Sequence, residues 1–468
     1  MTNRAIAALS ALFVALFALL AARQAYVMVI KGPEIASKPY NPRHELLGER
    51  RGRILATDGS VLAQTAGGKR RYPYGASLAQ SVGYVSARYG TSGLEDAYDR
   101  ALTPPDTTGD AFAQFDEIRA AMLGKSVAPR GADIVTTIVP AIQSELYDQL
   151  SRYPRGGAVV LDPRTGAVLA LASVPSYDPN QFDREFMTLN SDPTSPLIDR
   201  AIDGLYPPGS TFKVFTAAAA LDAGAVVMTD RFDDPGYYTV GDFTLHDNEG
   251  EATGNRDLTG AFALSSNVDF AQIALKMGTD QFYQALEKWG IGASLDFQLH
   301  AERGQIPSKD SVVPGELAQM GFGQGALLTS PLQMVLITST IANGGTMPRP
   351  YIVRQVVRNG TAASVTPSGS LATPISADTA ANVKKMMVAT VQWGLGTVAR
   401  LPNVQVAGKT GTATNPHGAS HSWFVAFAPA ENPRVAVAVV VENVGYGASY
   451  AGPIARNVLR VALDAIKE

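Results

Sequence analysis

Apolar, β-rich segments occur at both ends of roughly the last two thirds of the chain. The first two, residues 157–161 and 167–173, flank the sequence Asp-Pro-Arg-Thr-Gly, a strong turn signal, which predicts an antiparallel hairpin. Three more, with turn residues between them, are residues 404–413, 422–428 and 435–441. Because strands need pairing partners, we expect both groups to meet in one sheet despite the long sequence between them.

Helical patterns fill the sequence between these two groups of strands. They cover residues 211–223, 268–277 and 281–289, and an apolar-faced helix over residues 453–466 closes the chain. No internal repeat is present. The predicted class is therefore α+β, with helices packed on an antiparallel sheet.

The N-terminus begins with an uncharged and mostly apolar run, residues 5–22, which residues 25–30 extend. Its 18 residues approach the roughly 20 that a helix needs to cross a bilayer. No small-x-small cleavage site follows, so we expect an uncleaved membrane anchor rather than a signal peptide or a buried core helix. Charge does not favour an N-terminus-inside orientation, since one basic residue precedes the run and three follow it: Arg4, then Arg23, Lys31 and Lys38.

The sequence after this anchor mixes short apolar pieces with Gly, Pro and Arg. Residues 51–63 are typical of strand, Asp-Gly turn and strand, and residues 128–131 are a breaker before a strand at 134–139 and a helix at 141–151. We therefore predict an anchor, a small middle domain that serves as a pedestal and a larger C-terminal domain, at residues 1–30, 31–153 and 154–468.

Composition excludes several kinds of function. A net charge of -3 with 17% charged residues argues against a nucleic-acid binder, whose affinity comes from clustered Lys and Arg. The absence of cysteine removes thiol nucleophiles, disulfides and cysteine metal sites. Of the five histidines only His417 and His421 lie close together, and we interpret them as loop residues, so no metal site is predicted.

Three short motifs follow one another in the larger domain: Ser210-Thr211-Phe212-Lys213, Ser265-Ser266-Asn267 and Lys409-Thr410-Gly411-Thr412. From residue frequencies, either of the first two patterns should occur about once by chance in such a chain, whereas the third should occur in roughly one per cent of chains. The ordered set therefore carries more information than any single motif.

Ser210 follows a turn at residues 206–209 and begins a predicted helix. A serine there is most often only a helix cap. Lys213, however, lies one turn further on the same face, where its amine is expected to reach the serine hydroxyl, as a nucleophile and its base require. To accept a proton, Lys213 needs a pKa lowered from about 10.4 by roughly 3 units, through burial and a neighbouring cation.

Lys409 is the candidate for that cation, because it lies in a β-rich segment that is otherwise uncharged. Thr410 and Thr412 project to one side of this strand and are suited to bind one carboxylate, while Gly411 leaves room for an approaching peptide. The alternatives are an ordinary central strand or the tail of a phosphate-binding loop. The loop reading fails because its first glycine would be Asn403.

These motifs and their surroundings resemble the penicillin-binding proteins. Residues 156–466 resemble a whole transpeptidase domain, including GGAVVLDPRTGAVLALASVPSYDPN, RAIDGLYPPGSTFK, GFGQG and SWFVAFAP. RGRILATDGSVLA at residues 51–63 resembles the opening of a class B pedestal, and no room is left for a glycosyltransferase domain. The short pedestal and the ending resemble the compact PbpA group.

The resemblance implies a peptidoglycan D,D-transpeptidase that is inhibited by β-lactams and needs no cofactor. Ser210 would attack the penultimate D-Ala carbonyl of a stem peptide, Lys213 would take its proton, and Ser265 would relay a proton to the leaving D-Ala. The backbone N–H groups of Ser210 and Thr412 would form the oxyanion hole. An acceptor amine from a second stem peptide would then complete the cross-link.

The remaining roles also come from the resemblance. Asn267 would hold the amide of the donor peptide, Lys409 would tune the local field, and Thr410 with Thr412 would bind the terminal carboxylate. Ser266 departs from relatives that have Asp or Cys at the middle of the second motif. Which of Lys213 and Ser265 moves the proton at each step is left open.

The resemblance also implies location and partners. The catalytic domain would lie outside the cytoplasmic membrane, and a polytopic glycan polymerase of the FtsW/RodA type would dock on the span and pedestal. Two rival functions share the motifs: a β-lactamase or D,D-carboxypeptidase, in which water attacks the ester, and a non-catalytic β-lactam sensor or scaffold.

Overall fold

The structure, a computed structural model, describes residues 3–26, 50–104, 130–247, 251–415 and 418–466. Numbered in chain order, the strands in this part of the chain are β1 (Ile54–Leu55), β2 (Val61–Ala66), β3 (Lys69–Arg71), β4 (Val85–Ser86), β5 (Gly90–Thr91), β6 (Asp133–Thr136), β7 (Gly156–Leu161), β8 (Val168–Val174), β9 (Arg231–Asp234), β10 (Tyr237–Val240), β11 (Phe243–His246), β12 (Gly254–Asp257), β13 (Met347–Pro348), β14 (Val353–Arg358), β15 (Thr361–Ser364), β16 (Ser370–Ala372), β17 (Ala407–Ala413), β18 (His421–Ala428) and β19 (Val435–Val441).

The α-helices of the same residues are α1 (Asn3–Ala25), α2 (Ala79–Val82), α3 (Gly93–Ala97), α4 (Asp99–Leu102), α5 (Pro140–Leu150), α6 (Phe182–Ser191), α7 (Lys213–Asp222), α8 (Leu258–Ala263), α9 (Asn267–Lys288), α10 (Pro314–Gly321), α11 (Pro331–Ala342), α12 (Ala377–Gln392) and α13 (Ala451–Ala465). Short 3-10 turns cover Gly75–Leu78, Pro179–Gln181, Gly209–Phe212, Lys309–Ser311 and Thr397–Ala399.

A five-stranded antiparallel sheet forms the centre of the larger region, in the order β17-β18-β19-β7-β8. The N-terminal hairpin and the three C-terminal strands therefore meet, since Val159 in β7 pairs with Ala438 in β19. This confirms the predicted sheet and the α+β class. The sheet leaves β17, the strand with the third motif, at its edge.

Both faces of this sheet are covered by helices, which explains why its strands are almost continuously apolar. On one face, α5 and α13 pack through Leu146, Ile454 and Val458 against Val437 and its neighbours. On the other face, α7, α11 and α12 contribute to a larger core with the opposite side of the same strands. The motif-bearing segments lie on this second side.

A second sheet has six strands, in the order β15-β14-β6-β1-β2-β3. β1 and β2 form the predicted hairpin at residues 51–63, and β1 pairs in parallel with β6. β14 and β15 come from residues 353–364, far along the catalytic region, and β14 pairs antiparallel with β6. The pedestal sheet is thus completed by a hairpin from the other side of the proposed division at residue 153.

A buried charge network holds the pedestal together. Glu95 is fully buried and accepts hydrogen bonds from Arg51 Nε at 2.9 Å and from Arg70 Nε at 2.6 Å. Arg51 also donates to Asp99 and to the backbone carbonyl of Glu95. Each buried charge therefore has several partners, which such groups require to offset desolvation.

The N-terminal apolar run is helical, as α1, and Ala7–Gln24 is long and apolar enough to cross a membrane. The end of the predicted extension, residues 27–30, lies outside the described residues, as do residues 128 and 129 of the predicted breaker. The strand expected at 134–139 is shorter, because β6 ends at Thr136 and α5 begins at Pro140, whose fixed φ suits a first helical position.

Candidate active site

Ser210 lies in the 3-10 turn Gly209–Phe212, which leads directly into α7. The predicted α-helix over 211–223 therefore begins at Lys213, two residues later than expected. The turn is closed by the Thr211 hydroxyl, which donates to the carbonyl of Pro208 at 2.6 Å. Ser210 is 8% exposed and lines a cavity, so this largely buried residue is still accessible to a ligand.

Lys213 is fully buried, and its Nζ donates to the Ser265 carbonyl at 2.6 Å and to Asn267 Oδ1 at 2.8 Å. A longer contact of 3.4 Å joins it to Ser265 Oγ. The sequence predicted a contact with the Ser210 hydroxyl, but in the described part of the chain the amine is hydrogen-bonded to the second motif instead. The two motifs are thereby connected through this one side chain.

Burial lowers the pKa of Lys213 to about 7, against the opposing effect of the carboxyl groups of Asp247, Asp269 and Asp234. The low pKa that a base requires is therefore present, and burial is its main cause rather than the neighbouring cation. An amine that titrates near neutral pH is suited to accept and return a proton.

Ser265 is the meeting point of the two lysines. Lys409 Nζ donates to Ser265 Oγ at 2.7 Å, and both side chains are buried. The Ser265 backbone is left-handed, with φ of 65°, where α8 has ended and α9 has yet to begin. Burial, and then the positive charge of Lys213, hold the pKa of Lys409 well below its usual range.

Asn267 is the first residue of α9, whose preceding residue, Ser266, caps it by accepting from the N–H of Asp269 at 2.9 Å. The Asn267 side chain is held from two sides, since Oδ1 accepts from Lys213 and Nδ2 donates to the His246 carbonyl at 3.0 Å. The helix start therefore fixes the amide next to the two lysines.

Thr410 and Thr412 lie on the edge strand β17, and both line the same cavity as Ser210. Gly411, between these two threonines, has a packing role. A Cβ there would lie 2.8 Å from Thr211 Cγ2 and 2.9 Å from Trp423 Cβ, so the glycine lets the strand pack against the nucleophile turn. Gly411 is accordingly buried.

Three aspartates beside Lys213 were missed by the sequence analysis. Asp247 accepts from the N–H groups of Asn267 and Val268, and so anchors the start of α9. Burial, and then the neighbouring Asp234, raise the pKa of Asp247 to about 7. Burial, and again Asp234, raise the pKa of Asp269 to about 7.

Asp234 differs from the other two aspartates. Burial alone would raise its pKa, but hydrogen bonds from Asp247, Thr253 and Gly236 outweigh burial and lower the pKa to about 2. Of the three aspartates, only Asp269 could have been recognised from the sequence. It lies between Val268 and Phe270 in a predicted helix, and a carboxylate among apolar residues needs a polar partner. Asp247 and Asp234 come from a distant hairpin region, and no local sequence pattern indicates that they lie beside Lys213.

The cleft at Ser210 has two arms that share Ser210, Thr412 and Tyr446. The charged arm has a volume of about 520 Å³, and its other lining residues are Asp247, Glu251, Ala252, Thr253, Arg256, Leu264, Ser265, Leu395, Thr410, Gly447, Ala448 and Ser449. The uncharged arm has a volume of about 710 Å³, and its other lining residues are Pro207, Phe243, Thr244, Leu245, His246, Asn267, Gln319, Phe322, Gln324, Gly325, Thr414, Ser420 and Gly445.

No cluster of three His, Cys, Asp or Glu side chains able to hold a metal is present within the described ranges. His421 was expected in a loop, but it is the first residue of β18. Its Nδ1 accepts a hydrogen bond from the N–H of Asn443. His417 lies outside the described residues. The buried position of His421 follows from the strand pairing of Ala413 with His421 at the end of β17.

Comparison with known proteins gives a consistent result over nearly the whole chain. The family model of the penicillin binding protein transpeptidase domain matches residues 156–460, and that of the penicillin binding protein A dimerisation domain matches residues 51–133. The peptidoglycan D,D-transpeptidase PbpA of Mycobacterium tuberculosis is 35% identical, covering 99% of each chain, and that of Mycolicibacterium smegmatis is 34% identical, covering 96% of each.

The solved structures point to the same family. Penicillin-binding protein A from M. tuberculosis, solved as an imipenem acyl-enzyme complex, has a TM-score of 0.81 at 32% identity and covers 90% of this chain and 99% of that one. The sequence motifs, the fold and the site geometry agree with this match. The chain therefore belongs to the penicillin-binding protein transpeptidase family and is similar to its PbpA members over nearly its whole length.

Proposed function

We propose that the chain is a peptidoglycan D,D-transpeptidase that cross-links stem peptides through an acyl-enzyme on Ser210 and releases D-Ala. The observation that carries the proposal is the meeting of two buried lysines, Lys213 and Lys409, at the hydroxyl of Ser265 beside the cavity that contains Ser210. A covalent route needs a nucleophile, a neutral base and a proton relay in one cleft, and this arrangement supports all three.

In the acylation step, the Ser210 oxygen attacks the carbonyl of the penultimate D-Ala and its proton passes to Lys213. A substrate that enters the cleft brings the two groups into contact, because catalytic hydrogen bonds often tighten only in the complex. The C–N bond to the terminal D-Ala then breaks. The leaving amine takes a proton through Ser265, which lies within hydrogen-bonding distance of both lysines.

The oxyanion of the intermediate is assigned to the backbone N–H groups of Ser210 and Thr412. The turn and the edge strand approach closely, since a Cβ on Gly209 would lie 2.8 Å from the Thr412 carbonyl oxygen. In an antiparallel strand the N–H and C=O of one residue point to the same side, which supports an orientation of the Thr412 N–H toward the nucleophile. Such donors stabilise the charge that develops in the transition state.

The remaining residues are assigned to the donor peptide. Thr410 and Thr412 bind the terminal carboxylate, with Lys409 behind them, and the backbone of Gly411 lies between them. One of the two Nδ2 hydrogens of Asn267 is used by the His246 carbonyl, so the second can donate to the donor amide. An acceptor amine then attacks the ester, which forms the new amide and returns the proton to Ser210.

β-Lactams are expected to acylate the same serine and to inhibit the enzyme, as the imipenem acyl-enzyme of the M. tuberculosis relative supports by similarity. We infer that α1 is a single membrane span and that the catalytic domain lies on the outer side of the cytoplasmic membrane, where the substrate is. The proposed cross-linking serves cell-wall synthesis during cell division or cell elongation.

A polytopic glycan polymerase of the FtsW/RodA type is the proposed partner, docked on α1 and the pedestal. The side chains of α1 described at residues 7–24 are exposed, so they are available for contact with lipid or another span. Replacing α1 by an unrelated span of equal length should reduce co-purification of the polymerase from membranes. Unchanged co-purification would contradict docking through α1.

The central test is covalent labelling of the full-length protein in detergent with a fluorescent penicillin. Mass spectrometry should place the adduct on Ser210, Ser210→Ala should abolish it, and the adduct should persist for many minutes. Loss of the adduct within seconds would favour a β-lactamase or carboxypeptidase. With a thioester stem-peptide mimic and a D-amino acid, wild-type protein should form the aminolysis product, and a labelled protein without that product would favour a sensor.

A further inference from the structure

The two arms of the cleft differ sharply in charge. The charged arm has one basic and two acidic side chains, Arg256, Asp247 and Glu251. The uncharged arm has no Asp, Glu, Lys or Arg among the described residues that line it. Since the arms meet at Ser210, the acyl group and the group that replaces D-Ala must lie in different electrostatic environments.

The charged arm is the one through which the leaving group departs. Ser265 and Thr410 line the charged arm and not the uncharged one, whereas Asn267 lines only the uncharged arm. In the proposed function, Ser265 passes a proton to the leaving amine and Thr410 binds its carboxylate, while Asn267 holds the donor amide. The acceptor amine attacks from the position that the leaving amine vacated, because the second acyl transfer reverses the first. The acceptor therefore binds in the charged arm.

Arg256 is held in place at the wall of this arm. Its Nε donates to the Thr253 carbonyl, and its aliphatic stem lies over the first turn of α8, where a Cβ on Gly260 would be 3.1 Å from Arg256 Cβ and 3.3 Å from Cδ. Within the described part of the chain, Arg256 forms no ion pair with a carboxylate. Arg256 is exposed to the cleft, and a guanidinium without a carboxylate partner is suited to bind one.

We propose that Arg256 binds a carboxylate of the acceptor peptide, so that the enzyme selects acceptors with a second carboxylate in addition to the one next to the attacking amine. This inference rests on the proposed function and specifies its acceptor substrate. Arg256 takes no part in bond making: the amine nitrogen attacks the ester carbon, the bond to Ser210 oxygen breaks, and the amine proton returns to that oxygen. Glu251 opposes this selection, because its negative charge repels an acceptor carboxylate in the same arm.

The test compares two acceptors that differ by one carboxylate, D-glutamate and D-glutamine, with a thioester donor and the full-length protein in detergent. Wild-type protein should use D-glutamate faster than D-glutamine. Arg256→Gln should lower the D-glutamate to D-glutamine ratio about threefold or more, as expected for a partly exposed ion pair. Arg256→Lys should retain part of the preference, and Glu251→Gln should raise the ratio.

The matched control is Arg231→Gln. Arg231 is an exposed arginine on β9, the strand paired with β12, and it lines neither arm. Its substitution should therefore leave the D-glutamate to D-glutamine ratio unchanged. Penicillin labelling of Ser210 should be the same in all variants. An unchanged ratio in Arg256→Gln with normal labelling would overturn this inference alone, and so would an equal loss of labelling and aminolysis. Loss of labelling in wild-type protein would instead overturn the proposed function.

Discussion

Lys409 and Ser265 are 144 positions apart in the sequence, yet the lysine Nζ donates a hydrogen bond of 2.7 Å to the serine hydroxyl. This bond joins the edge strand β17 to the segment between α8 and α9. Both side chains are buried, and Ser265 also lines the charged arm. Lys409→Ala should therefore leave the Ser265 hydroxyl without its main donor and slow penicillin acylation by about 100-fold, as loss of one catalytic proton-transfer group does. Stopped-flow labelling measures this rate, and a normal rate would contradict the relay.

The rate of acylation should depend on pH through Lys213. Its pKa is lowered to about 7, mainly by burial, and only the neutral amine accepts the Ser210 proton. The second-order rate constant of penicillin acylation should rise about tenfold per pH unit below 7 and level off above it. The thermal unfolding temperature, measured over the same pH range, separates this effect from unfolding. A rate constant that is flat between pH 5 and 8 would contradict the assignment of Lys213 as base.

Asp247→Asn should move that pH profile to lower pH. The amide oxygen can still accept from the N–H groups of Asn267 and Val268, but the negative charge that raises the pKa of Lys213 is removed. We expect the midpoint of the profile to fall by about half a unit to one unit. Asp242→Asn, an exposed aspartate at the turn between β10 and β11, is the control and should leave the midpoint in place. A midpoint that rises in Asp247→Asn would show that the cause is not electrostatic.

Gly411→Ala should disturb the contact between β17 and the nucleophile turn. The new Cβ would lie 2.8 Å from Thr211 Cγ2, so we expect a loss of about 1–3 kcal/mol in unfolding free energy together with slower acylation. Thr211→Ser removes Cγ2 and keeps the hydroxyl that donates to Pro208, so the double variant should recover part of both losses. Denaturant unfolding and penicillin labelling test this. No recovery would place the strain at Trp423 instead.

Glu95→Gln should destabilise the pedestal strongly. It removes the carboxylate that Arg51 and Arg70 share inside the fold. Arg51 keeps its pair with Asp99, but the buried Arg70 loses its carboxylate partner, at a cost of about 3–5 kcal/mol. Arg53→Gln is the matched control, since the Arg53 side chain is 41% exposed in its pair with Asp133 and should contribute no more than about 1 kcal/mol. Equal unfolding free energies for the two variants would contradict the difference in burial.

The central sheet was predictable because its strands are apolar on both faces and are separated by clear turn residues, as in residues 156–174. The three motifs were predictable because each is local. Ser210 and Lys213 are three residues apart, and a short spacing on one turn limits where two side chains can lie.

The rest of the site depends on contacts between distant segments, which local patterns do not encode. Asp247 reaches Asn267 from a hairpin region, and the packing role of Gly411 depends on Thr211 in the nucleophile turn, about 200 positions away. The direct bond expected between Lys213 and Ser210 was replaced by bonds to Ser265 and Asn267, because a buried amine needs an acceptor for each of its N–H donors. Helical spacing alone does not predict that choice.

The hairpin of β14 and β15 has a consequence for dissecting the protein. Cutting the chain after residue 153 would remove the backbone hydrogen-bond partners that β14 supplies to β6 and would leave an unpaired sheet edge on the N-terminal fragment. The catalytic fragment would keep the hairpin of β14 and β15, but without the sheet to which it pairs. The two regions should therefore melt in a single calorimetric transition, because the pedestal and the catalytic region share one sheet and are not connected by a hinge.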